Sequence, residues 1–69
     1  DPVRAAQYLA KAAEQGYVRA QRQLGICYFY GNGVAKDVDA AIEWFYKAAK
    51  AGDADARDWL EKHAFLARR

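Results

Sequence analysis

The stretch AIEWFYKAAKAG at residues 41–52 repeats, in altered form, the stretch AAQYLAKAAEQG at residues 5–16. The two stretches lie 36 residues apart, and the same register holds along the chain: nine of the 33 pairs between residues 1–33 and 37–69 are identical. Chance identity would give about three such pairs in a chain of this composition. A fixed period of this length is typical of repeat proteins, in which one helical unit stacks against the next.

Each half of the repeat register reads as a helix, a glycine stop and a second helix. Asp1-Pro2 and Asp37 are typical helix starts, and Gly16 and Gly52 are typical stops at which we expect positive φ. We predict four helices, at about residues 2–15, 18–30, 38–51 and 54–67. The chain then forms one domain made of three parts: the second helix of a repeat (1–16), a complete repeat (17–52) and the first helix of a terminal repeat (53–69).

Apolar residues recur at helical spacing on one face of each helix. The residues that we expect on these inward faces are Ala5, Leu9, Ala12 and Ala13 in the first helix, Ala20, Leu24, Cys27 and Tyr28 in the second, Ala41, Phe45, Ala48 and Ala49 in the third, and Ala56, Leu60, His63 and Ala64 in the fourth. Because Gly25 costs about 1 kcal/mol inside a helix, we expect a neighbouring helix to approach closely there. The sequence therefore predicts an all-α fold of antiparallel helix pairs stacked as a short solenoid.

The composition argues against catalytic and metal-dependent functions. The chain has no Ser or Thr, which excludes a serine triad and a Walker-type phosphate loop. Cys27 and His63, the only cysteine and the only histidine, occupy equivalent repeat positions. Both lie on inward faces with no third residue to orient them, so we interpret them as packing residues and expect Cys27 to be buried and unreactive. We expect no catalytic residue, no metal and no cofactor, and no apolar run approaches the roughly 20 residues that cross a bilayer.

A nucleic-acid partner is the weakest alternative. The basic residues that could contact phosphates are Arg4, Arg19, Arg22, Lys62, Arg68 and Arg69. Acidic residues interleave with them, and the net charge is only +2. We therefore expect no nucleic acid among the partners.

Residues 20–37, which read AQRQLGICYFYGNGVAKD, and residues 41–52 resemble the Sel-one-like repeat, a relative of the tetratricopeptide repeat. The shared pattern is A-x-x-x-L-G, a glycine turn G-x-G-V-x-x-D, and W-aromatic-x-K-A-A-x-x-G. This chain departs from it at Ala35, where the family often has Pro, and at Glu61, where it has Gly. The resemblance implies a right-handed superhelical scaffold for protein–protein contact, as in bacterial envelope and signalling proteins and in eukaryotic organelle quality control. It favours the bacterial envelope or cytoplasm and leaves the compartment open.

The resemblance also implies which residues meet a partner, because the first helix of each repeat lines the concave face in related proteins. Those positions are Arg19, Arg22, Ile26 and Phe29 in the second helix, and Asp55, Asp58, Lys62 and Phe65 in the fourth. One interpretation is a groove with an aromatic floor and charged walls that holds a peptide or helix of another protein. In the other, the two arginines pair with the two aspartates as surface ion pairs of little energetic weight, and the chain is a spacer or cap within a longer solenoid.

The two ends of the solenoid differ in polarity. A polar cap at the C-terminal end is supplied by Glu61, Lys62, Arg68 and Arg69, and the arginines also suit the helix dipole. The first helix instead presents more apolar surface than one inward stripe needs, at Val3, Ala6, Tyr8, Leu9 and Ala10. We therefore expect either that the chain is part of a longer protein or that it self-associates through the face of helix 2–15.

Overall fold

The computed structural model describes residues 1–67, and within that range all regular structure is helical. The helices are α1 (Pro2–Glu14), α2 (Val18–Tyr30), α3 (Val38–Lys50), α4 (Ala54–Lys62) and the four-residue α5 (Ala64–Ala67). The main packed pairs are α1 with α2, α2 with α3, and α3 with α4. Because short connections join them, each pair is antiparallel. The expected all-α fold of stacked helix pairs is confirmed, and the first three helices end within a residue of their predicted bounds.

Glycine ends α1 and α3 in the same way. Gly16 and Gly52 have φ of 97° and 105°, so both adopt the left-handed conformation expected of them. The N–H of the next residue, Tyr17 or Asp53, then donates to the carbonyl five residues earlier, at 3.1 and 3.0 Å. This closure satisfies a carbonyl that the end of a helix leaves without a partner.

The closest approach between helices occurs where Gly25 of α2 meets Phe45 of α3. A Cβ atom on Gly25 would lie 2.9 Å from Phe45 Cδ2, closer than real side chains allow. Phe45 is 1% exposed and, with Leu24, is one of the two largest fully buried side chains. Trp59 of α4 stacks on Phe45 with 3.9 Å between ring centroids. The expected close contact at Gly25 is therefore confirmed, and it places Phe45 between α2 and α4.

Burial on α1 differs from the prediction because this helix packs mainly on one neighbour. Ala5 is exposed, whereas Ala6 and Ala13 are the buried residues of α1. Ala6 is covered by the turn between α2 and α3: a Cβ atom on Gly33, whose φ is 79°, would lie 3.0 Å from the Ala6 Cβ and would clash with the Pro2 carbonyl oxygen. The buried stripe of α1 thus faces α2 and this turn, and the side carrying Ala5 is left in solvent.

The fourth helix is not continuous over residues 54–67 as predicted, because it breaks at His63. The His63 backbone N–H donates to the Trp59 carbonyl at 3.0 Å, and Nδ1 of the ring lies 2.8 Å from the same oxygen. The ring also stacks on Trp59, with 4.1 Å between centroids. These contacts hold His63 at φ −114° and ψ 23°, outside helical geometry, and Ala64, expected to face inward, is exposed. Arg68 and Arg69, expected to cap this helix, lie outside the described residues.

Replacing Gly25 by alanine tests the close approach. Overpacking against a buried ring costs about 1–3 kcal/mol, whereas alanine is the better helix former by about 1 kcal/mol. We therefore expect Gly25→Ala to lower the free energy of unfolding by about 1 kcal/mol, measured by urea unfolding followed by circular dichroism. Gly25→Ala should lower the free energy of unfolding by less in a Phe45→Leu background. Gln23→Ala, on the exposed side of α2, should not lower it. A Gly25→Ala protein as stable as the parent would contradict this.

Cys27 should react slowly with a thiol reagent in the folded chain. It is 8% exposed, and burial raises the pKa of its thiol above the ordinary 9.0. Because the thiolate is the reactive form, both effects slow labelling. We expect the rate in native buffer to keep rising with pH beyond 9.0, and labelling of the unfolded chain to be rapid and stoichiometric. Equal rates in the folded and unfolded states would show that Cys27 is accessible.

Candidate functional site

A groove of about 400 Å³ lies between α2 and α4. One wall is a stripe of α2 formed by Arg22, Ile26 and Tyr30. The facing wall is formed by α4 and by His63, which follows it, and Phe45 of α3 lies between the two walls. The α4 residues of the lining are Asp55, Asp58, Trp59 and Lys62. The α2 residues follow one another at intervals of four, which places them on one side of the helix. Since Phe45 is almost fully buried, it forms the floor.

The two walls are joined by an ion pair between Arg22 and Asp53. Arg22 Nε donates to Asp53 Oδ2 at 2.8 Å, and the two side chains are 25% and 12% exposed. The other oxygen, Oδ1, accepts the backbone N–H of Asp55 at 3.0 Å and so caps α4. A single carboxylate therefore starts α4 and fixes the position of Arg22 on α2.

This pairing differs from the one that the sequence suggested. The alternative in which the arginines pair with Asp55 and Asp58 is wrong for Arg22, whose partner is Asp53. Asp58 instead pairs with Lys62 one turn later on its own helix, at 3.1 Å and with both side chains more than half exposed. That exposed pair contributes at most about 1 kcal/mol. Asp53 pairs with Arg22 because it lies just before the first turn of α4. Its Oδ1 caps the helix, and Oδ2 is left to accept from Arg22.

An aromatic stack supports the groove from below. Trp59 stacks on both Phe45 and His63, with interplanar angles of 12° and 16°. Phe29 of α2 meets Trp59 and His63 edge-on, with centroids 5.1 and 5.4 Å apart. Such contacts stabilise aromatic pairs beyond the area that they bury. The stack joins α2, α3 and the end of α4 and holds the floor and one wall together.

The structure brings five of the eight predicted partner-binding residues together in this groove: Arg22, Ile26, Asp55, Asp58 and Lys62. The other three do not line it. Arg19 is exposed on α2, Phe29 is a half-buried part of the stack, and Phe65 on α5 is 66% exposed with its ring 6.2 Å from that of His63.

Sequence reasoning missed Tyr30, Trp59 and the position of His63 at the groove. Tyr30 could have been found, because it lies four residues after Ile26 on the same stripe of α2. Trp59 likewise lies four residues after Asp55, but the repeat register masked this signal because its equivalent there is Gln23, an exposed polar residue. Comparison of the two repeats therefore directed attention to the neighbouring Leu60.

Cys27 and His63 share no hydrogen bond within residues 1–67, and the His63 ring contacts Trp59, Phe29 and Phe65. Across the same residues, no group of three or more His, Cys, Asp or Glu side chains is arranged to hold a metal ion. Among the helices that the structure describes, none is long and apolar enough to cross a membrane. The accessible groove side chains offer apolar, hydrogen-bonding and charged contacts to a partner.

Comparison with a solved structure agrees with this fold. A crystal structure of a Sel1 repeat protein from Oxalobacter formigenes superimposes with a TM-score of 0.86 at 44% identity, covering 90% of this chain and 18% of that one. At this level of identity, the likeness reaches beyond the general helical architecture.

Three curated relatives are similar to this chain in sequence. The secretory immunoglobulin A-binding protein EsiB of Escherichia coli is 45% identical over 58% of the chain, and the mouse DAP3-binding cell death enhancer 1 is 37% identical over 87%. Chitin synthase regulatory factor 3 of Schizosaccharomyces pombe is 41% identical over 78%. The matched region spans only 8%, 12% and 6% of these proteins, respectively.

The family model of the Sel1 repeat matches residues 1–17 and 18–53. The second match contains the complete helix pair of α2 and α3 with its glycine turn, and the first contains α1. These matches cover most of the chain, and the second match is 36 residues long, the same length as the repeat period. The chain therefore belongs to the Sel1 repeat family.

Proposed function

We propose that this chain is a non-enzymatic protein-interaction module that holds a peptide or protein partner in the groove between α2 and α4. The observation that carries the proposal is a pair of accessible apolar side chains above a buried aromatic base. Ile26 and Tyr30 are 38% and 71% exposed on the α2 wall, while Phe45 beneath them is 1% exposed. Exposed apolar side chains next to one another in a concave surface are typical of interaction sites.

The groove walls are held in place without a partner. The Arg22–Asp53 pair joins them on one side, and the stack of Phe45 and Trp59 joins them beneath. A surface that is already ordered loses less conformational entropy on binding, so more of the contact energy appears as affinity. Support also comes from the relatives, since two are named for binding a protein and the third is named a regulatory factor.

A spacer role within a longer solenoid is the second candidate, and the internal ion pairs favour it. Arg22 and Lys62 are each paired with an aspartate of this chain, so these charges are partly neutralised before any partner arrives. This argument does not apply to Ile26 and Tyr30, whose exposed apolar surface has no role in a spacer.

We also propose that the chain self-associates through the outer face of α1. Ala5 and Tyr8 are exposed on this face, and Leu9 and Ala12, which are half-buried because they also pack on the core, form its inner edge. Tyr8 is 78% exposed, whereas its equivalent in α3, Trp44, is half-buried against the neighbouring helices. Ala5 is exposed, whereas its equivalent Ala41 is fully buried. Trp44 is covered because it packs on the cluster of α1 and α2, and Ala41 is covered because α3 also packs on α4, whereas α1 packs mainly on α2. Ala6, expected on this face, is buried under the turn and takes no part.

The outer face of α1 suits a symmetric pair. Its residues have spacings of three, one and three, so two antiparallel copies place Ala5 opposite Ala12 and Tyr8 opposite Leu9. Head-to-tail stacking of α4 on α1 is disfavoured because Glu61 occupies the register position of Gly25, where close approach requires a missing side chain. The symmetric arrangement needs no such contact.

Selection of displayed random peptides on the immobilised chain tests the groove. We expect enriched peptides whose binding is lost in Ile26→Asp, because a carboxylate would then be desolvated in the apolar part of the groove. Tyr46→Asp, at a 58% exposed site on α3, is the matched control and should bind as the parent does. Peptides that bind both variants equally would place the site elsewhere, and an absence of enrichment would favour the spacer role.

Sedimentation across a concentration series tests self-association. The apparent mass should rise from 7.8 kDa towards twice that value as concentration increases. Tyr8→Glu should abolish the rise because it puts a charge into the paired face, and Tyr46→Glu should not. A strict monomer with a melting temperature independent of concentration would refute the proposal.

A further inference from the structure

Most of the charged side chains that line the groove are neutralised within the chain. Arg22 pairs with Asp53 at 2.8 Å, and Lys62 pairs with Asp58 at 3.1 Å. The remaining carboxylate of the lining, that of Asp55, belongs to an exposed residue and stays in water. A partner in the groove therefore meets few unpaired charges, and the neutral polar atoms of the lining become the source of its specificity.

The ring of His63, one of these neutral groups, is held in a fixed position. Its Nδ1 lies 2.8 Å from the Trp59 carbonyl oxygen. The ring stacks on Trp59 with 4.1 Å between centroids and an interplanar angle of 16°. Phe29 packs on the ring edge-on from α2, at 5.4 Å. Together these contacts fix the directions of both ring nitrogens.

The hydrogen bond to Trp59 determines which nitrogen of His63 carries the proton. A carbonyl oxygen can only accept, so Nδ1 is the donor. In a neutral imidazole the other nitrogen then carries no hydrogen and presents a lone pair. Nε2 lies on the side of the ring away from the Trp59 carbonyl and has no hydrogen-bond partner within residues 1–67. The groove thus contains a hydrogen-bond acceptor of fixed direction.

Apolar and aromatic surface surrounds this acceptor. The Phe29 ring contacts the rings of both His63 and Tyr30, at 5.4 and 5.0 Å, so the three rings form one cluster. Tyr30 is 71% exposed, and Ile26, one turn earlier on α2, is 38% exposed. Since Ile26, Tyr30 and His63 all line the groove, an aromatic side chain packed on the first two lies beside the His63 ring.

We infer that the groove binds a partner through an aromatic side chain that carries a hydrogen-bond donor, as tryptophan does. The ring of this side chain packs on Ile26 and Tyr30, and its N–H donates to Nε2 of His63. The indole N–H is a donor only, which matches a nitrogen that only accepts. The inference rests on the proposed function and specifies the chemistry of the partner.

The selectivity arises from the cost of leaving an acceptor unpaired. His63 is half-buried, so water donates to Nε2 in the free chain. A partner ring that covers His63 without a donor removes this water and leaves the lone pair unsatisfied, whereas a ring with a donor replaces the lost hydrogen bond. Sites that hydrogen-bond a ligand group discriminate against analogues that lack the group for the same reason.

NMR of the imidazole nitrogens in the isotope-labelled 69-residue chain tests the tautomer directly, because His63 is the only histidine. At a pH at which the ring is neutral, we expect Nδ1 to show the signal of a protonated nitrogen and Nε2 that of an unprotonated one. The reverse assignment would overturn the inference, since Nε2 would then carry a hydrogen and could not accept.

Two peptides that differ only in the donor test the recognition. The first is acetyl-Gly-Trp-Gly-amide, and in the second a benzothiophene replaces the indole, so that sulfur stands in place of the N–H. Each is titrated into the labelled chain while the backbone amide signals of Ile26 and Tyr30 are followed. We expect both peptides to shift these signals, and the benzothiophene peptide to bind about fivefold more weakly because it forms one hydrogen bond fewer.

A variant of the chain assigns that difference to His63. His63→Phe keeps an aromatic ring beside Trp59 and removes both nitrogens, so it should bind the two peptides equally. The matched control is Tyr46→Phe, which removes a hydroxyl group from an exposed site on α3 and should retain the difference. Circular dichroism verifies that both variants are folded, and the comparison of the two peptides on the parent chain depends on neither.

Equal binding of the two peptides by the parent chain, no shift of the Ile26 and Tyr30 signals by the Trp peptide, or a difference that survives in His63→Phe would overturn the inference. Its failure is distinguishable from failure of the proposed function. Displayed peptides that lack Trp and Tyr, yet lose binding in Ile26→Asp, would retain the groove as an interaction site and refute this partner chemistry. Selected peptides insensitive to Ile26→Asp would refute the groove itself.

Discussion

The approach of α3 to the backbone of α2 at Gly25 is the contact on which the groove depends. The missing side chain lets Phe45 lie against α2, and the buried ring then provides the surface on which Trp59 stacks. Trp59 in turn carries His63 at the end of α4. The floor and one wall of the groove thus depend on the contact between Phe45 and Gly25. Gly25 itself does not line the groove.

The charged part of the groove arises from a departure from the repeat. Asp53 caps α4 and holds Arg22, but its equivalent in the repeat register is Tyr17, and α2 begins there without a side-chain cap. The carboxylate that joins the two groove walls therefore starts α4 and has no counterpart at the start of α2. Since its two oxygens serve two partners, the start of α4 and the orientation of Arg22 are thermodynamically linked. The repeat pattern supplies the scaffold, and the site lies where the two copies differ.

The same distinction explains how far sequence reasoning reached. Helix bounds and the positive φ of Gly52 could be predicted because caps and glycine stops are local signals. Errors arose where equivalent positions were given equivalent environments. Ala5 is exposed although Ala41 is buried, because α1 packs mainly on α2 whereas α3 packs on both α2 and α4. The break at His63 and the partner of Arg22 required tertiary contacts, an aromatic stack in one case and a cross-helix ion pair in the other.

Because the main packed pairs are neighbours along the chain, the molecule has an almost one-dimensional connectivity. Little loop-closure entropy is lost before each new helix is stabilised, and such low contact order is associated with folding in microseconds to milliseconds. Folding can begin at any helix pair and extend in either direction. The α2–α3 pair is the natural starting point, since its buried Phe45 and Leu24 lie in the middle of the chain. The groove would then be complete only once α4 docks on that pair, and it would not require α1.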